Sequence, residues 1–205
     1  MAELRVVAGI PGATCIATAR RLFDARYATR WFVGTGLDIG PGPDSLGLYA
    51  ELFPRITGLM LYDQEDGDAQ TLDKIEDNRF DFAYSSHCLE HVRDPLIALR
   101  NWIRVVRPGG HLIFAVPDED MYEQGQWPSR FNSDHKLTFT MSKRKSWSPV
   151  SVNMLSLLTE VNDQVVPLKV EVADHGYRST LAGRGFDQTR TPLTDAAIEV
   201  VLRKL

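Results

Sequence analysis

A chain of 205 residues fits one domain, or one domain with insertions, and is long enough to bury most of the surface its unfolded form exposes. Its 43% hydrophobic and 24% charged residues exclude the disordered and fibrous classes. A net charge of −4 gives no broad attraction to phosphate backbones or anionic lipid, so nucleic acid is not favoured as a partner, and no apolar run approaches the ~20 residues of a membrane helix.

The opening MAELRVVAGIPG puts an acid before a short apolar run, which is not the build of a secretory signal. Two cysteines, Cys15 and Cys88, are expected as free thiols, and the chain reads as cytoplasmic. From Thr35 to Ile39 the pattern predicts a strand that runs into the turn GPGPD, followed by a short helix over Leu46–Phe53 stopped at Pro54. Ile56–Tyr62 and Phe80–Ser85 read as strands. Asp94 is expected to cap a helix with Pro95 in its first turn, because Leu96, Leu99, Ile103 and Val106 recur at helical spacing and Pro108, Gly109 and Gly110 end it. His111–Val116 is a further strand. Pro117 to Trp147 is irregular, and so long a structureless stretch inside a compact domain is often functional. A helix is predicted over Ser148–Val161, then strands over Leu168–Val172 and Ala197–Leu202. Strands alternating with helices define an α/β sheet.

Three pieces, GLDIGPG at 36–42, GDAQTL at 67–72 and FDFAYSSHCLEHVRDPLIALRNWIRVVRPGGHLIFAVPDED at 80–120, resemble the class I S-adenosylmethionine-dependent methyltransferases in order and spacing. The glycine turn alone is weakly specific, and the third piece carries most of the weight. The resemblance implies a Rossmann-like, mostly parallel seven-stranded sheet with its final strand antiparallel and helices on both faces. It places S-adenosylmethionine at the carboxyl ends of the first strands. Here Gly40 and Gly42 let backbone approach the cofactor, and Asp38 contacts its amino-acid end directly or through water. Asp63 is the acid that would accept from the ribose hydroxyls, and Asp68 with the Ala69 amide would take the adenine. Ser85 and Ser86 would face the methyl donor. Only four residues separate Asp63 from Asp68, so the third strand or the helix before it is expected to be lost or vestigial, and Glu65 or Asp66 could equally serve the ribose.

Methyl transfer to an oxygen of high pKa calls for a base, and the candidates are His135 and His87, with Asp118, Glu119 and Asp120 nearby. In segment 117–147, Tyr122, Trp127 and Phe131 interleave with Arg130, Asn132 and His135, the mixture a small polar acceptor needs. His87 and His91 stand four apart, which invites a metal reading, but no second cluster supplies further ligands, so no metal is expected. The chain is therefore read as a single methyltransferase domain over 1–205 that acts on a small-molecule or sugar-type acceptor at oxygen. The alternatives are an RNA or protein methyltransferase, or a cofactor-binding accessory protein without catalysis.

Overall fold

The computed structural model describes residues 12–205. The first eleven residues, with the acid and short apolar run noted above, lie outside the described residues. The central sheet has six strands: β1 Gly34–Ile39, β2 Ile56–Tyr62, β3 Phe80–Ser86, β4 Val106–Pro117, β7 Val165–Ala173 and β8 Ala197–Lys204. Their order is β2-β1-β3-β4-β8-β7. The pairs β1/β2, β1/β3 and β3/β4 are parallel, whereas β8 runs antiparallel to both its neighbours, so one strand alone is reversed. This is the expected Rossmann-like sheet without its third strand. Residues 63–79 form turns instead, and β2 becomes the edge.

Alternation along the strands divides the core. Phe82, Tyr84, Ile113 and Val201 face one way, where Tyr27, Trp31, Phe32, Leu46 and Phe53 cover them. Ala83, Leu112, Phe114, Val200 and Leu202 face the other way. There they meet Leu99, Trp102 and Ile103 of helix α2 (Pro95–Val105), and Leu157 and Leu158 of α3 (Met154–Thr159). Helical elements thus cover both faces. Gly36 sits opposite Phe82, where a Cβ would lie 2.1 Å from the Phe82 ring, so β1 and β3 can pair only around a glycine.

The helix α2 begins as its sequence dictates: the Asp94 carboxylate accepts from the Leu96 and Ile97 amides at 2.9 and 3.1 Å, ahead of Pro95. Two expectations change. The predicted helix over 148–161 is a short strand β6 (Ser151–Asn153), paired with β5 (Thr138–Thr140), before Asn153 caps α3. Segment 117–147 is not wholly irregular, since it holds β5 and a π-helical turn at Glu119–Glu123. An additional helix, α1 (Ala13–Arg21), was not legible from apolar spacing, because Thr14, Thr18 and Arg21 are among its buried residues.

Candidate active site

A cleft of about 520 Å³ opens at the carboxyl ends of β1, β2 and β3. Gly40 turns the chain out of β1 with φ +64°, and a Cβ there would meet the Cys88 sulfur at 2.5 Å. The Gly42 amide donates to the Asp63 carboxylate at 3.1 Å, which ties the glycine loop to the end of β2. Gly40, Gly42, Asp63, Asp68, Ala69 and His87 all lie on the wall of this cleft. Glu65 and Asp66 are not on it, and Asp66 instead accepts from the Asp63 amide at 3.0 Å.

The shortened stretch after β2 is held by α2 rather than by a strand. The Ala69 carbonyl accepts from Trp102 Nε1 at 2.7 Å, the Gln70 side chain accepts from the Arg93 and Asp94 amides, and Arg104 donates to the carbonyls of Thr71, Leu72 and Ile75. Asp68 accepts from the Gln70 amide at 2.8 Å and from Arg93 at 2.5 Å, and these bonds hold its carboxyl below the ordinary value. A carboxylate is therefore fixed at the cleft although the third strand is gone.

Asp38, Ser85 and Ser86 do not reach the cleft wall. Asp38 lies buried beneath the glycine loop, where one oxygen accepts from the Ser45 hydroxyl and the Leu46 amide, both at 2.8 Å, and the other has no partner. Burial pushes its carboxyl up to about 7, against the pull of those two donors. A folded value above the unfolded 3.8 makes this group's stabilising share complete below about pH 4 and lost as pH rises to about 7. Asp38→Asn should flatten that part of the slope in urea titrations run at several pH values. Asp38→Ala strands two donors, so it should weaken cofactor binding by about 1 kcal/mol or more in calorimetry. Unchanged affinity would mean that the loop does not hold the cofactor. Ser85 donates to the Ile39 carbonyl at 3.0 Å, and the Ser86 hydroxyl is buried without a partner.

His135 lies apart from this wall, in a second cleft of about 510 Å³ lined also by Glu90, Tyr122, Phe131, Asp187 and Arg190. His87 and His91 border both clefts. His87 adopts φ +55°, a strained conformation for a non-glycine residue of the kind that clusters at functional sites. Burial, then the neighbouring His135 and His91, hold its imidazole well below the ordinary histidine range, so it is neutral at pH 7. His135 is 8% exposed, and its Nδ1 meets Glu123 Oε1 at 2.7 Å. Glu90 is completely buried with neither carboxylate oxygen hydrogen-bonded, and burial pushes it up to about 8.

Asp118, Glu119 and Asp120, noted as alternative bases, serve structure instead. Asp118 caps the π-helical turn, Glu119 accepts from Thr138, Ser146 and Ser151, and Asp120 accepts from Trp147. Glu90, Asp187 and Arg190 also line the second cleft and Glu123 backs His135, though none of the four is among the sequence candidates. Glu90 stood inside the HCLEH motif and could have been singled out, whereas Asp187 and Arg190 lie beyond any motif and only folding brings them to the cleft.

A glycine loop at the end of β1, acids at the end of β2 and beyond, and one reversed strand define a Rossmann-like methyltransferase architecture. The methyltransferase-domain family matches residues 18–147, and the chain belongs to that family, within the class I S-adenosylmethionine-dependent enzymes. Among solved structures, N-methyltransferase NodS of Bradyrhizobium japonicum in complex with S-adenosylhomocysteine is 15% identical, with 94% of this chain and 88% of NodS covered, at a TM-score of 0.55. The complex between the Haloferax volcanii Trm112 methyltransferase activator and a methyltransferase matches at 15% identity, covering 92% and 91%, with the same TM-score of 0.55. At such identities the likeness is one of fold. An uncharacterised 37.1 kDa protein in transposon TN4556 of Streptomyces fradiae is 42% identical over 66 residues, 32% of this chain and 19% of that protein. The match therefore spans about a fifth of that relative's length. No helix among the described residues is long and apolar enough to cross a membrane.

Proposed function

We propose that this chain transfers a methyl group from S-adenosylmethionine to a hydroxyl of a small polar or sugar-type acceptor. The observation that carries this reading is the meeting of two clefts at His87 and His91, with the His135–Glu123 pair on the far side. The first cleft fits the cofactor. Its volume is in the usual range for such ligands, its floor is glycine backbone, and Asp63 and Asp68 offer acceptors for ribose hydroxyls and an adenine amino group. When bound, the cofactor supplies an electrophilic methyl on sulfur.

The chain's own residues do the rest. The Gly40–Gly42 loop, tied to Asp63 and followed by Ser45 and Leu46, which donate to Asp38, positions the donor, and Ser85 firms the strand end under it. His87, neutral, separates the clefts. Segment 117–147 supplies Tyr122, Phe131 and His135 to the acceptor side, so the whole chain acts as one methyltransferase domain. Glu123 holds Nδ1 of His135, which leaves Nε2 free to take the proton of the acceptor hydroxyl. Tyr122 and Phe131 offer apolar walls, and Asp187 and Arg190 offer polar contacts. The unpaired Cys15 and Cys88 thiols support a cytoplasmic setting.

Calorimetry with S-adenosylhomocysteine followed by a methyl-transfer screen over sugars, phenols, amines and RNA tests this reading. Binding with methylation of hydroxyl compounds is the expected result. Methylation confined to amines or RNA would overturn the acceptor assignment, and absence of cofactor binding would remove the activity.

A further inference from the structure

Glu90, His91 and His135 converge in the acceptor cleft beside His87, whose Nδ1 stands 3.7 Å from Glu90 Oε1, in a way that proton transfer alone does not require. The buried Glu90 carboxylate has no hydrogen-bond donor, and its Oε1 stands 3.8 Å from His135 Nε2 and 4.0 Å from His91 Nε2. These separations are too long for hydrogen bonds. One ligand atom from each of Glu90, His91 and His135 can be chosen so that all lie within 4.8 Å of one another. Each imidazole is backed on its other nitrogen by a carboxylate, His135 Nδ1 by Glu123 at 2.7 Å and His91 Nδ1 by Asp134 at 2.9 Å. That backing keeps the proton on Nδ1 and turns both Nε2 lone pairs toward Glu90. Histidines that ligate metal are oriented in this manner. Among the described residues no lysine or arginine pairs with Glu90; the nearby Lys136 goes to Asp134 at 3.7 Å and to the His91 carbonyl.

We propose that Glu90, His91 and His135 bind a divalent first-row ion of the zinc type, whose open position takes the hydroxyl oxygen of the acceptor. Two imidazoles and a carboxylate suit such an ion, and bonds of about 2.0–2.2 Å require these side chains to close in by only a fraction of an ångström to roughly 1 Å. The inference rests on the acceptor-cleft reading and changes one part of it. With the ion bound, the Nε2 lone pair of His135 is a ligand, and it is the base only without the ion. The ion draws electrons from the bound hydroxyl, whose proton passes to solvent water. The oxygen lone pair then forms the C–O bond as the methyl–sulfur bond breaks, and S-adenosylhomocysteine leaves with the sulfur electron pair.

The full chain, freed of metal by a chelator and dialysis, should be titrated with Co²⁺ and followed by visible absorption, with Zn²⁺ in competition. One ion per chain with ligand-field bands displaced by Zn²⁺ is expected, and His135→Ala should abolish the bands. Asp134 is exposed, so Asp134→Asn should leave the fold intact while weakening affinity about 10- to 100-fold. A wild-type chain that binds S-adenosylhomocysteine but takes up no stoichiometric Co²⁺ overturns the metal site. Unchanged affinity in Asp134→Asn overturns this ligand set. A chain that takes up Co²⁺ but not S-adenosylhomocysteine upholds the site and overturns the methyltransferase reading instead.

Discussion

His135→Ala is expected to lower kcat by about 10²- to 10⁴-fold while leaving the affinity for S-adenosylhomocysteine unchanged. The split follows from placement. His135 lines the acceptor cleft and is not on the wall of the donor cleft, where Gly42, Asp63 and Asp68 lie. Its Nε2 takes the acceptor proton or, with the ion bound, holds the ion that acidifies the hydroxyl, so its loss removes that activation. Asp63→Ala should show the reverse pattern, weaker cofactor binding with kcat at saturation less affected, because its carboxylate faces the donor side and holds the Gly42 amide. His135 is buried against Glu123, so the variant also strands that carboxylate, and a thermal melt must establish that it is folded at the assay temperature. Steady-state kinetics beside calorimetry decide the matter. A variant with full kcat would remove His135 from the chemistry, and one that loses cofactor affinity in parallel would mean that the two clefts are not separate sites.

The glycine loop and the elements around it are legible because their signals are local. Gly40, Gly42 and the Asp94 cap sit within a few residues of the strands and helix they punctuate, and the four-residue gap between Asp63 and Asp68 foretold the missing strand. Asp38, expected to meet the cofactor directly or through water, is buried and bonded to Ser45 and Leu46, since a strand residue's side depends on register that sequence spacing alone leaves open. The second cleft is assembled from distant positions. His87 and His91 stand out by their spacing and Glu90 between them does not, and His135 joins them only because β5 and the chain before it fold back, with the Lys136 and Leu137 amides donating to the Glu90 carbonyl. The third member of the proposed ligand set, His135, comes from segment 117–147, which the spacing of His87 and His91 alone cannot show. In the same way Val152, Leu155, Leu158 and Val161 have helical spacing, but pairing of Val152 with Phe139 outweighs it and delays the helix to Met154. The helix α1 escaped because its inward face carries Arg21, whose partner is on the last strand.

That partner supports the second large effect: Glu199→Ala should destabilise the fold by about 3–5 kcal/mol, the usual consequence of leaving a buried charge without its counterion. Glu199 is completely buried on β8 and meets three cations, Arg21 at 2.5 Å, Arg20 at 2.9 Å and Lys169 at 3.2 Å, besides the Tyr27 hydroxyl. Arg21 is itself fully buried, with its guanidinium 5.0–6.0 Å from the ring centres of Tyr84, Tyr27 and Phe32. Burial alone would raise the Glu199 carboxyl, but the charges of Arg21 and Arg20 outweigh it and hold the group far below the ordinary carboxylate value. With a depressed folded value, its contribution is complete above the ordinary 4.5 and is lost only as pH falls well below it, so wild type and variant should converge in strong acid. Arg21→Met combined with Glu199→Gln removes both formal charges of the tightest pair and should recover stability relative to Glu199→Ala. Because α1 brings Gly12 and Ala13 to the acceptor cleft, Glu199→Ala should also raise KM for the acceptor more than the dissociation constant for S-adenosylhomocysteine. Urea unfolding that moves by less than about 1 kcal/mol would mean that Arg21 finds water or another partner when Glu199 is gone, and that α1 is held to the sheet by packing rather than by this charge cluster.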